Sequence, residues 1–259
     1  MDSKEIPDEA FQALRIMEEV LDGILVAVYL YGSAVMGGLH IDSDVDILVV
    51  TDRNLSERTR KELANRLMMI SGKRRSAKRP IEVIVINQNN TVPWQYPPKY
   101  EFLYGEWLRE QFQKGVIPGP AYDSDLAILL AQVRNNSINL YGPKAAEILE
   151  PVPAADIRKA IKDSLPGLIA GTRGDERDVI LTLARMWLTV STGEISSKDL
   201  AAEWAIPKLP GRYSALLDKA RKAYLGEYAD KWEGMESEVD ELVNYMKKSI
   251  ESSLASTEQ

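Results

Sequence analysis

The chain has 259 residues, 45% of them hydrophobic and 27% charged, which suits a soluble globular protein of one large domain or two ordinary ones, with room for a cleft. No apolar run of about 18 residues exists to span a bilayer, the acidic start MDSKEIPDEA carries no apolar signal core, and there is no cysteine for a disulfide or thiolate metal site. A cytoplasmic location without membrane contact is therefore expected, and the net charge of -7 argues against gripping a nucleic-acid backbone, which needs a basic stripe, while it suits a cationic small substrate.

In chain order, a helical pattern from Asp8 to about Asp22 leads into the apolar strand ILVAVYLYG, a Gly-rich turn, and a second strand, DVDILVV. A helix with a basic end follows, SERTRKELANRLMMISGKRRSAKR, and then a third strand, PIEVIVIN. The basic cluster GKRRSAKR reads as a solvated helix end and loop, not a nucleic-acid patch. Next comes the Pro-rich segment VPWQYPPKYEFLYGEW, where prolines oppose regular structure and aromatic rings are available to line a cleft. Beyond Tyr122 strand signals fade, and amphipathic stretches succeed one another up to a long terminal one from about Lys231 to Leu254. The expected architecture is an α/β domain over residues 1–120 and an all-α helical bundle over 121–259.

The stretch YGSAVMGGLHIDSDVDILVV raises the chemical question. Strand side chains alternate faces, so Asp44 and Asp46 project to one side, roughly 6 to 7 Å apart, while Val45 and Ile47 enter the core. A third acid, Glu82, stands between apolar neighbours in the third strand. Carboxylates this close repel, and the usual remedy is a divalent cation such as Mg²⁺, which takes one or two protein carboxylates and keeps its other positions for water and phosphate oxygens. Small residues in the turn after Gly32 and Ser33 let backbone N–H groups approach a triphosphate. A lone Asp-x-Asp at a strand end is more often a solvated turn pair. The combination of a Gly-Ser turn, Ser-Asp-x-Asp opening an apolar strand, and a later isolated acid favours a metal and general-base site. His40, the only histidine, reads as a surface turn residue.

This combination resembles the nucleotidyltransferase superfamily, with its polymerase-β-like catalytic domain. The blocks LYGSAVMGGL, DSDVDILVV, VPWQYPP, YGEWLRE, LTLARMW, TGEISSKD and AAEWAI are similar to those of the aminoglycoside adenylyltransferases that inactivate spectinomycin, in some cases together with streptomycin. The resemblance runs from about Leu30 to Tyr224 and is nearest the branch that modifies the 9-hydroxyl of spectinomycin.

The resemblance implies ATP as co-substrate, Mg²⁺ held by Asp44, Asp46 and Glu82, and Glu82 as the catalytic base. Ser33, Ser43 and Asp46 match nucleotide contacts, as do Asp125, Arg185, Lys198 and Tyr224 in the helical half, which would complete the ATP and drug sites. Trp107, Asp175 and Asp178 match substrate-binding positions, with Asp178 standing where the two-drug enzymes carry a histidine. The plain alternatives are that Trp107 is core and that Asp175 or Glu176 caps the helix beginning near Arg177. Small molecules are the expected partners, and a monomer is expected. In two-drug enzymes the resemblance places a tryptophan and an aspartate just before the GD-x-R block; here KDSLPGLIAGTRGDER has neither residue between Leu165 and Arg173, with Gly171 at the aspartate position. The other readings are a two-drug enzyme or a nucleotidyltransferase acting on another acceptor, such as a nucleic-acid tailing enzyme or a protein-modifying one.

Overall fold

The computed structural model describes residues 6–40, 43–73, 76 and 78–256. Arg74, Arg75 and Ala77 of the basic cluster lie outside them. The chain divides into two compact units, Met1–Val152 and Pro153–Gln259. The first extends past the boundary near residue 120 expected from sequence, because the segment after Tyr122 completes its core.

The first unit opens with α1 (Asp8–Val20), β1 (Leu25–Tyr31), β2 (Val45–Thr51), α2 (Glu57–Ile70) and β3 (Ile81–Asn87). It continues through β4 (Lys99–Tyr100), β5 (Phe102–Tyr104), α3 (Arg109–Gln113), β6 (Ala121–Tyr122), α4 (Asp125–Asn135), β7 (Ile138–Tyr141) and α5 (Ala145–Ile148). Among the described residues a five-stranded sheet has the order β5-β3-β2-β1-β7, with β2 and β3 parallel and the other neighbours antiparallel. Parallel pairing needs a crossover, and α2 supplies it, its first turn capped by Ser56, whose hydroxyl accepts from the Thr59 N–H at 3.1 Å.

Both sheet faces are covered, which explains why β1 reads as a continuous apolar run. On one face Val28, Leu30, Val45, Ile47, Val49, Ile81, Val83 and Val85 pack with Ala13 and Met17 of α1 and Leu63 and Leu67 of α2. On the other, Tyr29, Tyr31, Leu48, Val50, Ile84 and Ile86 pack with Leu126, Leu130 and Val133 of α4 and with Ala145 of α5. That second layer, together with β7 on β1, carries the first unit beyond residue 120; the short INLY strand has too little alternation to stand out in the sequence. The basic helix also stops sooner than its composition suggests: α2 ends at Ile70, with Ser71 already extended.

The Pro-rich segment is not a linker. Phe102 and Tyr104 of β5 are fully buried and stack with Phe112, the Tyr104 and Phe112 ring centroids 5.5 Å apart. The following turn is nailed to the end of α2. Arg109 binds Glu106 with two hydrogen bonds, 2.6 Å from Nε and 2.8 Å from Nη2, and Nη2 also donates to the Met68 and Ser71 carbonyls at 3.1 and 3.0 Å. Tyr104 donates to Glu106 at 2.8 Å. This clamp fixes the turn that presents Trp107.

The second unit comprises α6 (Ala154–Ala170), α7 (Glu176–Thr192), α8 (Lys198–Ala205), α9 (Gly211–Tyr224) and α10 (Glu236–Ala255), the helical bundle expected from the amphipathic stretches. Helix α7 packs against the other four and is buried along most of its length. Arg158 of α6 ties the bundle together, donating to the Val190 carbonyl at 2.6 Å and the Ser253 carbonyl at 2.7 Å.

The Glu106 clamp yields a stability prediction. Burial would push the Glu106 carboxyl up, but hydrogen bonds from Arg109, Ser71 and Tyr104 outweigh it and hold the group below the ordinary carboxylate range. A depressed folded-state pKa contributes stability above the unfolded value, and that contribution is lost as pH falls through the folded one. Glu106→Gln should therefore cost about 1–3 kcal/mol at about pH 7, read from urea unfolding, with the gap from wild type narrowing below about pH 4. Equal midpoints at neutral pH would show the clamp to be energetically idle.

Candidate active site

In the first unit the acids stand as the alternation requires. Asp46 and Glu82 are register partners on the parallel strands β2 and β3, and both are half-buried, while Val45, Ile47, Ile81 and Val83 between them are buried. Adjacent strands run about 4.7–4.9 Å apart, so the two carboxylates sit one strand spacing from each other at the entry ends of their strands. Two negative charges at about 5 Å repel by roughly 3 kcal/mol at an effective dielectric near 20. Asp44, also half-buried, lies just ahead of β2, with Oδ1 shielded from solvent. These acids share the sheet face covered by α4, and Asp125 is the exposed first residue of that helix.

Gly32 makes the acid end possible. It follows β1 with φ of 67°, in the left-handed region, and Tyr31 before it pairs with Asp46. A Cβ at residue 32 would overlap the Asp46 carboxylate. Ser33 stands next in the short 3-10 turn Gly32–Ala34, its carbonyl accepting from the Gly38 N–H at 3.0 Å.

The approach to β2 is braced by Arg79, whose Nη1 donates to the His40 carbonyl at 2.6 Å and the Ser43 carbonyl at 3.3 Å. The buried Ser43 hydroxyl accepts from the His40 N–H at 3.0 Å, so it shapes this turn as well as standing at its mouth. His40 is half-buried within the same turn, more enclosed than the surface position expected.

The donor set consists of hard oxygens only, and the missing Cβ at Gly32 gives the Asp46 carboxylate its place beside the turn. Among the described residues no three His, Cys, Asp or Glu side chains form a ready-made metal cage, so the three-carboxylate set expected from sequence is not preassembled. Mg²⁺ needs no such cage, since one or two carboxylates plus substrate phosphates suffice. The residues fit an ion that arrives with a nucleotide. Glu101 shows the contrast with a structural acid: fully buried, it accepts from the Leu55 N–H and Asn90 Nδ2, both at 3.2 Å, and pairs with Lys99 at 3.3 Å.

Trp107 is 58% exposed, which rules out the core reading. Its indole folds over Gly105, where a Cβ would overlap the ring. An exposed indole backed by bare main chain, on a turn held by the Glu106–Arg109 pair, has the shape of a stacking surface.

In the second unit Asp175, Lys198 and Tyr224 stand at helix ends, and Asp178 and Arg185 on one stripe of α7. Asp175 is exposed at the N-terminal boundary of α7 without a side-chain capping bond, and Glu176 satisfies the Gly174 N–H instead, at 3.1 Å. Asp178, Thr182 and Arg185 follow at helical spacing as a half-buried stripe on an otherwise buried helix. Lys198, the first residue of α8, donates to Asp178 Oδ1 at 2.7 Å, and its Nζ lies 6.0 Å from the ring centre of Tyr224, the last residue of α9. The sequence reading missed Arg177, which is 3% exposed and pairs with Asp178 at 3.2 Å and Asp230 at 3.1 Å. Its only signal was a cation just inside the predicted start of α7.

Comparison with known proteins agrees with this division. Residues 19–97 match the nucleotidyltransferase family described as polymerase beta, and residues 147–249 match the aminoglycoside adenylyltransferase C-terminal domain. A spectinomycin 9-adenylyltransferase of Staphylococcus aureus is 61% identical over 251 residues, 96% of each chain. One of Campylobacter jejuni is 49% identical over 252 residues, covering 97% of this chain and 98% of that one. The crystal structure of an Enterococcus spectinomycin adenyltransferase, AAD(9), with ATP and spectinomycin superposes with a TM-score of 0.90 at 36% identity, covering 94% of this chain and 98% of that one. Identity of this extent, over a nucleotidyltransferase sheet followed by the characteristic helical domain, establishes that the chain belongs to the aminoglycoside adenylyltransferase family.

Proposed function

We propose that the chain transfers AMP from ATP to the 9-hydroxyl of spectinomycin, releasing pyrophosphate and so conferring resistance to the drug. The observation that carries the reading is the in-register pairing of Asp46 and Glu82 on parallel strands, beside a glycine whose missing Cβ admits the Asp46 carboxylate. The high identity to spectinomycin 9-adenylyltransferases supports the choice of acceptor.

Asp44 and Asp46 would hold Mg²⁺, which when bound offsets the charge of the nucleotide phosphates. Glu82 takes the proton of the drug hydroxyl on a carboxylate oxygen as the hydroxyl oxygen attacks the α-phosphorus in line; the bond from that phosphorus to the bridging oxygen breaks, and pyrophosphate leaves. Ser33 and Ser43 contact the phosphates from the turns before β2. Asp125 in the first unit and Arg185, Lys198 and Tyr224 in the second are further nucleotide contacts in this reading, the two cations suiting the triphosphate charge. Trp107 stacks against the drug, and Asp175 meets one of its ammonium groups.

Glu82→Gln should leave ATP binding largely intact while turnover falls by about 100-fold or more, the scale of a lost general base. Near-normal turnover would remove Glu82 from the role.

Asp44→Asn or Asp46→Asn should cripple pyrophosphate release, and chelation should abolish it in the wild type until Mg²⁺ is restored. Release that continues in the chelated enzyme would exclude the metal reading.

Streptomycin is larger and carries two guanidinium groups, so it needs a planar surface and an anionic partner, and the end of α6 offers neither: Gly171 closes that helix. Losing one stacking contact and one charge-assisted hydrogen bond removes roughly 2 to 5 kcal/mol of binding, well over a tenfold weakening. A susceptible bacterium expressing the chain should grow on spectinomycin and not on streptomycin. Equal protection would establish the two-drug reading, and protection against neither would point to another acceptor.

A further inference from the structure

We infer that Asp178 is a positioning residue for Lys198, holding the ammonium that meets the ATP phosphates, and is not a drug contact. The inference rests on the proposed phosphate role of Lys198. Both Asp178 oxygens are engaged by protein cations: Oδ1 accepts from Lys198 Nζ at 2.7 Å and Oδ2 from Arg177 Nη2 at 3.2 Å. Arg177 is itself immobilised, 3% exposed and paired with Asp230 at 3.1 Å, while Asp230 accepts from Trp232 Nε1 at 2.7 Å. The chain Trp232, Asp230, Arg177, Asp178, Lys198 thus runs from the α9–α10 loop through the start of α7 to the start of α8. A carboxylate wedged between two cations has its rotamer set by them, and drug recognition would require it to abandon both.

The lysine is the member that needs holding. Its ammonium sits on a flexible four-carbon stem at the first residue of a helix, so a fixed acceptor removes most of its rotational freedom before a ligand arrives. One N–H of three goes to Asp178, which leaves donors for phosphate oxygens. The Tyr224 ring, 6.0 Å from Nζ, forms a second wall. Arg177 and Lys198 against Asp178 and Asp230 form a set with no net charge, and a triphosphate supplies the anion that makes use of Lys198.

Two effects oppose in Asp178. Its charge competes with phosphate for Lys198, and its geometry aims Lys198. Asp178→Asn separates them, because the amide oxygen still accepts from Nζ while the charge is gone. Steady-state kinetics should show Asp178→Ala raising KM for ATP about tenfold, with KM for spectinomycin within about twofold of wild type, and Asp178→Asn raising KM for ATP less. In a Lys198→Gln background Asp178→Ala should add nothing further to KM for ATP. A rise in KM for spectinomycin with KM for ATP unchanged, or full additivity with Lys198→Gln, overturns the inference. If the alanine variant fails to fold, the KM split of the near-isosteric asparagine variant decides the same point. Lys198→Gln with unaltered KM for ATP would instead refute the phosphate role of Lys198 itself.

Discussion

Two carboxylates one strand spacing apart, at the entry ends of a buried parallel pair, set the terms for the first unit. Two like charges this close favour any cation that reaches them both, and a rigid separation lets a shared ligand find both. The rigidity comes from the alternation: Val45 and Ile47 on β2, and Ile81 and Val83 on β3, are buried among α1 and α2, so Asp46 and Glu82 cannot turn inward without exposing the core. The crossover through α2 makes the strands parallel and puts like ends together. Gly32 lets β1 close against Asp46 without a Cβ in the way. A change of one residue in the β2–β3 register would move one carboxylate to the opposite face.

The second unit is constructed on another principle. Asp175, Lys198 and Tyr224 lie at helix beginnings and ends while Arg185 stands mid-way along α7, and an ion pair across helices joins Asp178 to Lys198. Helix α7 is held by packing on nearly all sides, so the half-buried stripe of Asp178, Thr182 and Arg185 is a defined edge. Arg177, taken out of water at the start of that helix, is tolerated because two carboxylates meet it. Such a network is costly to break at one member, which suits the orientation of a neighbouring lysine.

Loops near the acids show the same division between support and presentation. Arg79 ties down the carbonyls of His40 and Ser43, and Arg109 ties the Glu106 turn to the end of α2, while Trp107 is left exposed. In both cases a guanidinium gathers several carbonyl or carboxylate oxygens at once, a geometry that a lysine ammonium does not reproduce.

Much of this was legible beforehand, for reasons of range. Alternation in DVDILVV and PIEVIVIN is a local, period-two signal, so the sequence by itself determined that Asp46 and Glu82 would stand half-buried on strands with an apolar reverse side. The helical periodicity of the last hundred residues likewise announced a bundle. Only the tertiary structure decided that Asp46 faces Glu82 in register, that α4 and β7 belong with the sheet, that Trp107 rests on Gly105, and that Asp178 is engaged by Lys198 and Arg177. Most of these depend on contacts between residues distant in the chain, and Trp107 on a backbone fold that composition does not reveal. Periodicity assigns a side chain to a face, while packing chooses its neighbour on that face.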